Sequence, residues 1–577
     1  MKQNSIVRLL KFIVPYLHII IAAAICVLLV NAAQLIKPYI LKIVIDDFLI
    51  SGKLESGLYS IKFMGVFYMV AIVVGAGLTF GQVNLMNYAG QQIISKLRKQ
   101  VFTHIQYLPL SFLDKFSPGR LITRATNDVE ALNEVFTDIL INLFRDFFLL
   151  VGIVFIMFRM NVALAAISFV AVPLIFFVTN FFKKKIKENF KTMKSLIGRI
   201  NGFFAENISG MKLVQIFNSE LEKQKEFKEL NDKYFKSTMF QVQMNSLLRP
   251  IIEILQTLTV AILVWYGMGK IMGGALELGV LYAFTTYIKQ FFEPINDLAE
   301  NYNTIQSAIV SADRIFELLD QHDILEDLDT GIEVKRLKGE IEFKNVWFAY
   351  NEDEWILKDV SFVIVAGETA AFVGATGAGK TTIISLISRF YKIQNGQILI
   401  DGIDINDYRL ADLRRNVSVV LQDVFLFSGD IKKNITLNDS IDEEQIDEAL
   451  KLSCAQQFID ELPEGMNEPV RERGSTFSAG QRQLLSFARA IAHNPTILVL
   501  DEATANIDTN TELLIQQSIE NISANRTTLV IAHRLSTIRN ADKIIILNKG
   551  AIVEVGSHDY LLQTGGYYKE LYEAQYA

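Results

Sequence analysis

Nine consecutive residues, Gly374-Ala-Thr-Gly-Ala-Gly-Lys380-Thr381-Thr382, carry the clearest chemistry in this chain of 577 residues. Glycines let backbone N–H groups converge on phosphate oxygens where a side chain would intrude. The five residues before the loop, Thr369-Ala-Ala-Phe-Val373, read as a short buried strand, and an apolar helix begins near Thr381. Strand, loop and helix are the context that makes such a match a phosphate site, because the helix N-terminus adds positive partial charge. Lys380 can reach β and γ phosphates, and the Thr381 hydroxyl can ligate Mg2+.

Other residues stand at comparable positions. Thr496-Ile-Leu-Val-Leu500 reads as a second buried strand and ends in Asp501-Glu502. The carboxyl ends of strands are where open α/β sheets bind ligands. An isolated acidic pair is usually a solvated surface feature, but the apolar strand before it places this one at a sheet edge. There Asp501 can hold Mg2+ through water, and Glu502 can polarise an attacking water. Thr528-Leu-Val-Ile-Ala532 reads as a third strand and ends at His533. A lone histidine is commonly an ordinary polar residue; the shared edge favours a γ-phosphate contact. Ser478, three positions before Gln481, forms a capping box ahead of the helical run Arg482–Ala492, which Asn494-Pro495 stops. The same N-terminus, left open by Gly480, is an anion site.

The elements that must position these groups differ sharply between the two halves of the chain. Overall, 51% of residues are hydrophobic and 21% charged, with a mean hydropathy of +0.27. Long uncharged runs fill the sequence up to about Thr304; from about Gly339 it reads as a soluble α/β protein. Six apolar stretches lie near Phe12–Ile36, Phe63–Ser95, Ile139–Phe158, Met160–Phe182, Leu247–Met268 and Leu278–Leu298. A helix needs roughly 20 residues to cross the hydrocarbon core. The third and fourth are so close that a tight helical hairpin is expected. The first is too long for a signal-peptide core.

Lys2, Arg8 and Lys11 precede the first stretch, and Lys183-Lys184-Lys185 with Lys187 follow the fourth. With six spans both clusters fall on one face, which should be cytoplasmic. The polar connections after spans two and four keep a helical pattern, so the membrane helices should extend well into the cytosol. Charges inside a bilayer are costly and normally face protein or a wet cavity. Glu253, Lys289 and Glu293 therefore line a substrate path, form an intramembrane ion pair, or sit near the interface. Arg145 and Asp146 are sequence neighbours on different helix faces, so pairing between them cannot be assumed. Cys26 and Cys454 lie in different halves and read as two small buried thiols. The net charge of −7 argues against a nucleic-acid partner.

Taken together, these motifs resemble the ABC transporter ATPases over essentially the whole chain. Tyr350 matches the aromatic that stacks on adenine. Gly374, Thr376, Gly377, Gly379, Lys380, Thr381 and Thr382 match the Walker A loop. Gln422, in Val420-Leu-Gln-Asp-Val424, matches the glutamine that touches Mg2+ and senses the membrane domain. Ser478, Gly480 and Gln481 match the signature motif, which reaches a partner's ATP. Asp501 and Glu502 match Walker B and its catalytic glutamate, Asp508 the D-loop aspartate, and His533 the switch histidine. The membrane half looks like a type IV exporter half. Phe112-Leu-Asp114, Gly119, Arg124 and Asn127-Asp128 are similar to that family's first coupling region, and Glu206, Gly210, Phe217 and Glu220 to its second. Two departures are visible: Phe-Ser-Ala-Gly-Gln in place of Leu-Ser-Gly-Gly-Gln, and Arg471-Glu-Arg-Gly474 in place of Gly-Glu-Arg-Gly. Neither removes a residue near phosphate.

The resemblance implies a six-helix transmembrane domain fused to an α/β P-loop ABC ATPase domain, divided as residues 1–321, a linker at 322–338, and 339–577. It implies ATP and Mg2+ as ligands, a cell-membrane location with the nucleotide domain in the cytoplasm, and a second half-transporter as partner. A heterodimer is slightly favoured over a homodimer, because Phe-Ser-Ala-Gly-Gln with Ala-Thr-Ala-Asn-Ile-Asp508 is similar to the site-competent half of bacterial heterodimeric multidrug exporters. The expected activity is ATP-driven export of small amphipathic substrates, drugs or lipids, from contact with membrane lipid. An ATP-gated channel or transport regulator on the same scaffold is the alternative.

Overall fold

A computed structural model describes residues 5–50, 60–321, 330–351, 354–501, 509–531 and 535–576, without the side chains of 5–6, 249, 295–303, 509–510, 535–536 and 575–576. The chain divides into two compact units: Met1–Ile105 with Gly119–Asp320, and Gln106–Pro118 with Gln321–Ala577.

The first unit is built from long helices. Leu17–Ile43, Ile61–Gln106, Leu140–Met160, Val162–Phe169 continued by Ala171–Ser209, Glu220–Met272, and Leu278–Leu319 follow in order. Five helical stretches are long and apolar enough to cross a membrane: Val7–Ile50, Ile61–Gln106, Pro118–Met160, Val162–Ser209 and Glu220–Met272. The sixth helix is a continuous 42 residues but less apolar, as Lys289 and Glu293 foreshadow. It is nonetheless integral to the bundle. Its Leu281, Phe284, Tyr287, Ile288 and Phe292 repeat at helical spacing and are buried. The Tyr287 hydroxyl donates to the Leu35 carbonyl of the first helix at 2.6 Å.

Helices of 46 and 53 residues exceed the bilayer. At about 1.5 Å rise per residue they are more than twice as long as the roughly 30 Å hydrocarbon core. Between the third and fourth helices, Asn161 adopts an extended conformation that ends one helix, and its side chain caps the next by accepting the Leu164 N–H at 3.0 Å. This is the tight hairpin expected from the sequence.

Arg145 and Asp146, whose pairing helix-face geometry leaves open, do pair, the guanidinium curling back to the neighbouring carboxylate at 3.0 Å. Asp146 is buried, and a long flexible side chain makes the reach that helix-face geometry alone does not settle. One expectation is corrected: Cys26 and Cys454, read as buried thiols, are both free but only half-buried.

The second unit holds strands β1 (Ile341–Ala349), β2 (Trp355–Ile364), β3 (Thr369–Val373), β4 (Asn395–Ile400), β5 (Ile403–Asp404), β6 (Val417–Val420), β7 (Gly429–Asp430), β8 (Pro469–Val470), β9 (Ile497–Asp501), β10 (Thr527–Ile531), β11 (Lys543–Asn548) and β12 (Ala551–Gly556). The main sheet runs β12-β11-β3-β10-β9-β6, and an antiparallel sheet runs β2-β1-β4-β5. Within the main sheet, β11, β3, β10, β9 and β6 are parallel. Alternate residues of its central strands enter opposite cores. Ala371, Leu498, Leu500 and Val530 pack on one face, and Ala370, Phe372, Ile497 and Val499 on the other. A sheet covered on both faces needs strands that are apolar throughout.

Part of the expected linker is held to this unit. Val334, Leu337 and Lys338 donate backbone N–H groups to Asp412, Asn416 and Asp401 at 3.3, 3.1 and 2.7 Å. Residues 322–329 of that linker lie outside the described residues.

Six spans give a testable topology. On a background of Cys26→Ser and Cys454→Ser, Ala275→Cys, ahead of the sixth helix, should react with a membrane-impermeant maleimide added to intact cells, whereas Glu333→Cys, beyond it and exposed, should react only after permeabilisation. Equal labelling of both positions in intact cells would contradict a sixth crossing.

Candidate nucleotide site

The parallel register assembles the site before any side chain is considered. Ile531 of β10 lies level with Phe372 of β3 and with Asp501 of β9, and Val420 of β6 lies level with Leu500. The carboxyl ends of four strands therefore form one edge. From it emerge the glycine loop after Val373, Asp501 at the tip of β9, and Gln422 two residues past β6.

The loop's glycines are required by its path. A Cβ at Gly374 would lie 2.2 Å from the Leu547 carbonyl oxygen. Gly379 has φ +103°, and a Cβ there would meet Leu357 at 2.7 Å. The helix Lys380–Ile387 starts immediately afterwards, so its first N–H groups face the loop. Thr376 and Gly377 are exposed at the loop's crest, Thr381 is exposed, and Thr382 is buried. The Lys380 ammonium spans the loop, donating to the carbonyls of Gly374 at 2.6 Å and Ala375 at 3.1 Å. Burial pushes its pKa below the ordinary lysine range, and the charge of Asp501 opposes that shift. Asp501 is itself buried.

Tyr350 follows β1 and stands beside the loop. Its hydroxyl donates to the Thr382 hydroxyl at 3.2 Å. Its ring meets Phe348 and Tyr391 edge-on at 4.9 and 5.0 Å. The ring remains 40% exposed, enough to offer a face to a planar base. Gln422 is exposed.

The helix Ala479–Ala492 starts with the capping box expected from the sequence. Ser478 Oγ accepts the Gln481 N–H at 3.1 Å, and Gln481 Oε1 accepts the Ser478 N–H at 2.9 Å. Ser478 is exposed and Gly480 buried. Among the described residues no hydrogen bond joins this cap to the glycine loop of the same chain. Glu502, Asp508 and His533 lie outside the described residues. Glu253, Lys289 and Glu293 belong to the helical unit, and all three are exposed on the single chain.

Two groups of residues were missed by sequence reasoning. Arg489 donates to the Asn434 carbonyl at 2.7 Å, the Phe425 carbonyl at 2.9 Å and Asn434 Oδ1 at 3.1 Å. Asn434 in turn exchanges hydrogen bonds with the Phe427 backbone, both at 2.8 Å. The segment after Gln422 is thereby pinned to the helix that Ser478 caps. The available signal was an arginine inside the otherwise apolar Phe487-Ala-Arg-Ala-Ile-Ala492. The second group is Tyr391 with Asp114. The Tyr391 hydroxyl donates to the Asp114 carboxylate, and burial, reinforced by that carboxylate, pushes the phenol's pKa up. No local pattern marks this pair.

A glycine loop whose path excludes a Cβ at Gly374 and Gly379, a lysine across it, and a carboxylate with a hydroxyl at the same edge fit a nucleotide's phosphates and a hard oxygen-ligated cation. Joined in one chain to long apolar helices, they define an ATP-driven membrane transporter. Residues 20–295 match the family described as ABC transporter transmembrane region, and residues 357–505 the family described as ABC transporter. The chain belongs to the ABC transporters.

It is 40% identical over 500 residues to a probable multidrug resistance ABC transporter ATP-binding/permease protein, YheH, of Bacillus subtilis (strain 168), covering 86% of this chain and 74% of that one. It is 36% identical over 570 residues to an ATP-dependent lipid A-core flippase of Syntrophus aciditrophicus (strain SB), covering 99% and 94%. A solved bacterial Atm1-family ABC exporter with ATP bound superposes with a TM-score of 0.81 at 28% identity, covering 97% and 98%. The chain is thus an exporter half-transporter: it binds nucleotide, couples ATP hydrolysis to transport, and dimerises. It is embedded in the cell membrane with its ATPase region in the cytoplasm.

Gly379→Ala should lower ATP affinity at least about tenfold, since left-handed backbone costs an L-residue roughly 1–2 kcal/mol before the overlap with Leu357 is relieved. Equilibrium binding of a fluorescent ATP analogue measures it. Lys380 gives a pH signature. Phosphate favours its charged form, so binding takes up a proton above its lowered pKa, and ATP affinity should fall as pH rises through that value. A flat alkaline profile would contradict the placement of Lys380 at the phosphates.

Proposed function

We propose that this chain is one half of a dimeric exporter that moves amphipathic molecules, drugs or lipids, across a bacterial cytoplasmic membrane by alternating access. The observation that carries the reading is the convergence of the Lys380 loop, Asp501 and Gln422 on one sheet edge of a chain that also crosses a membrane. The multidrug and lipid names of the relatives support the substrate class.

In this reading adenine stacks on Tyr350, and the phosphates lie over Gly374, Thr376, Gly377, Gly379, Lys380, Thr381 and Thr382. Thr381, Gln422 and Asp501 would hold Mg2+, which when bound neutralises charge developing on the β and γ phosphate oxygens. Glu502 accepts a proton from the attacking water, His533 contacts the γ-phosphate, and ADP and phosphate are the products. Asp508 and the Ser478, Gly480 and Gln481 cap act across the interface. The exposed helix N-terminus at Ser478 meets the second subunit's nucleotide, so closure of the two domains completes both sites. The exposure of Glu253, Lys289 and Glu293 on the single chain suits residues that line a path between two subunits. A heterodimer is slightly favoured, on the resemblance of the signature and D-loop segments to the site-competent half of such pairs. The native mass of the purified complex separates it from a homodimer.

Glu502→Gln should leave ATP binding intact and reduce turnover by a factor of about 100 or more, the range expected for losing a general base. Undiminished ATPase activity would reject the assignment.

A further inference from the structure

The chain passes between its two units at three places: after Ile105, after Pro118 and after Asp320. These three crossings are the covalent links between the two units. Just beyond the second crossing, Arg124–Asp128 forms a π-helical turn, a geometry frequent at functional sites. Both of its end residues are buried and charged: Arg124 is 8% exposed and Asp128 5% exposed.

Both reach the cytoplasmic end of the sixth helix, just ahead of the third crossing. Arg124 pairs with Glu317 at 3.2 Å. Asp128 accepts the Ser311 hydroxyl at 2.8 Å and lies 3.5 Å from the Arg314 guanidinium. The N-terminal helix Ser5–Ile13 adds to the same end. Arg8 pairs with Asp320 at 2.6 Å and lies 4.2 Å above the Phe316 ring. Buried charges are retained only where partners compensate their desolvation, and Ser311, Arg314 and Glu317 stand on the last turns of the sixth helix, with Asp320 next to them.

We propose that Arg124 and Asp128 are positioning residues for coupling. They bind the end of the sixth helix to the segment leaving Pro118, so that two crossings move as one body when the nucleotide unit moves. The inference rests on the transport reading above. Loss of the clamp lets the nucleotide domains cycle without carrying the outer ends of the membrane helices.

The test uses the purified dimer in nanodiscs, with Cys26→Ser and Cys454→Ser. Spin labels are placed at Leu49→Cys and Val162→Cys, which are 71% and 65% exposed near the outer ends of the first and fourth membrane helices. Pulsed electron paramagnetic resonance compares nucleotide-free protein with protein trapped by Mg-ATP and vanadate. The unsubstituted protein should show a shifted Leu49–Val162 distance on trapping; the absence of any shift removes the alternating-access reading and the clamp with it. Arg124→Glu should still trap nucleotide but lose at least about fivefold of the shifted population, the lower range of coupling free energies. Combining Arg124→Glu with Glu317→Arg should restore the shift, a rescue that lost packing alone would not give. Should Arg124→Glu fail to fold, Asp128→Asn, which keeps the side chain's size, should show the same loss. A parental shift in either single variant, or no rescue by the exchanged pair, overturns the proposal.

Discussion

A chain of phosphates can be gripped by one peptide loop only where several backbone N–H groups crowd together and no side chain intervenes. In this protein that crowding is set by the parallel register of β3, β10, β9 and β6. The register in turn is held by burial, because alternate residues of each central strand enter different apolar cores. A one-residue slip of β9 would exchange the two sets and misplace Asp501. The glycine loop, Lys380, Asp501 and Gln422 meet because the hydrophobic pattern permits one alignment only.

The bilayer imposes a different constraint on the other half. Each membrane segment must satisfy its own backbone, so the polypeptide crosses as helix. Helices of 46 and 53 residues run on past the hydrocarbon as stiff levers. Stiffness makes the few side chains that join their cytoplasmic parts mechanically important. Arg124 and Asp128 on one side, with Ser311, Arg314 and Glu317 on the other, are such joints. In the second unit, Tyr391 with Asp114, and Arg489 with Asn434, are polar ties of the same kind.

What could be read from the sequence follows from this physics. The glycine loop, the apolar strands ending in a carboxylate, and the Ser478–Gln481 capping box are local patterns, and each appears where its residues stand. The Asn161 hairpin was also local. The sixth helix was legible as a member of the bundle despite its charges, because Leu281, Phe284, Tyr287 and Ile288 keep helical spacing. The Arg145–Asp146 pair was left open, because the flexibility of a long side chain is not written in helix geometry. The ties of Tyr391, Arg489 and Arg124 join residues far apart in sequence, and nothing local announces them. The roles of Glu502, Asp508 and His533 rest on sequence resemblance, since these residues lie outside the described part of the chain.

ATP-dependent accumulation in inside-out proteoliposomes tests the central claim most directly, with a fluorescent lipid and a cationic dye as probes. Phosphate chemistry at the sheet edge, driving the membrane helices, predicts accumulation of a probe against its gradient with Mg-ATP and none with a non-hydrolysable analogue. Equilibration of the probe down its gradient with the analogue alone would contradict it, because the protein would then open a passage rather than drive transport.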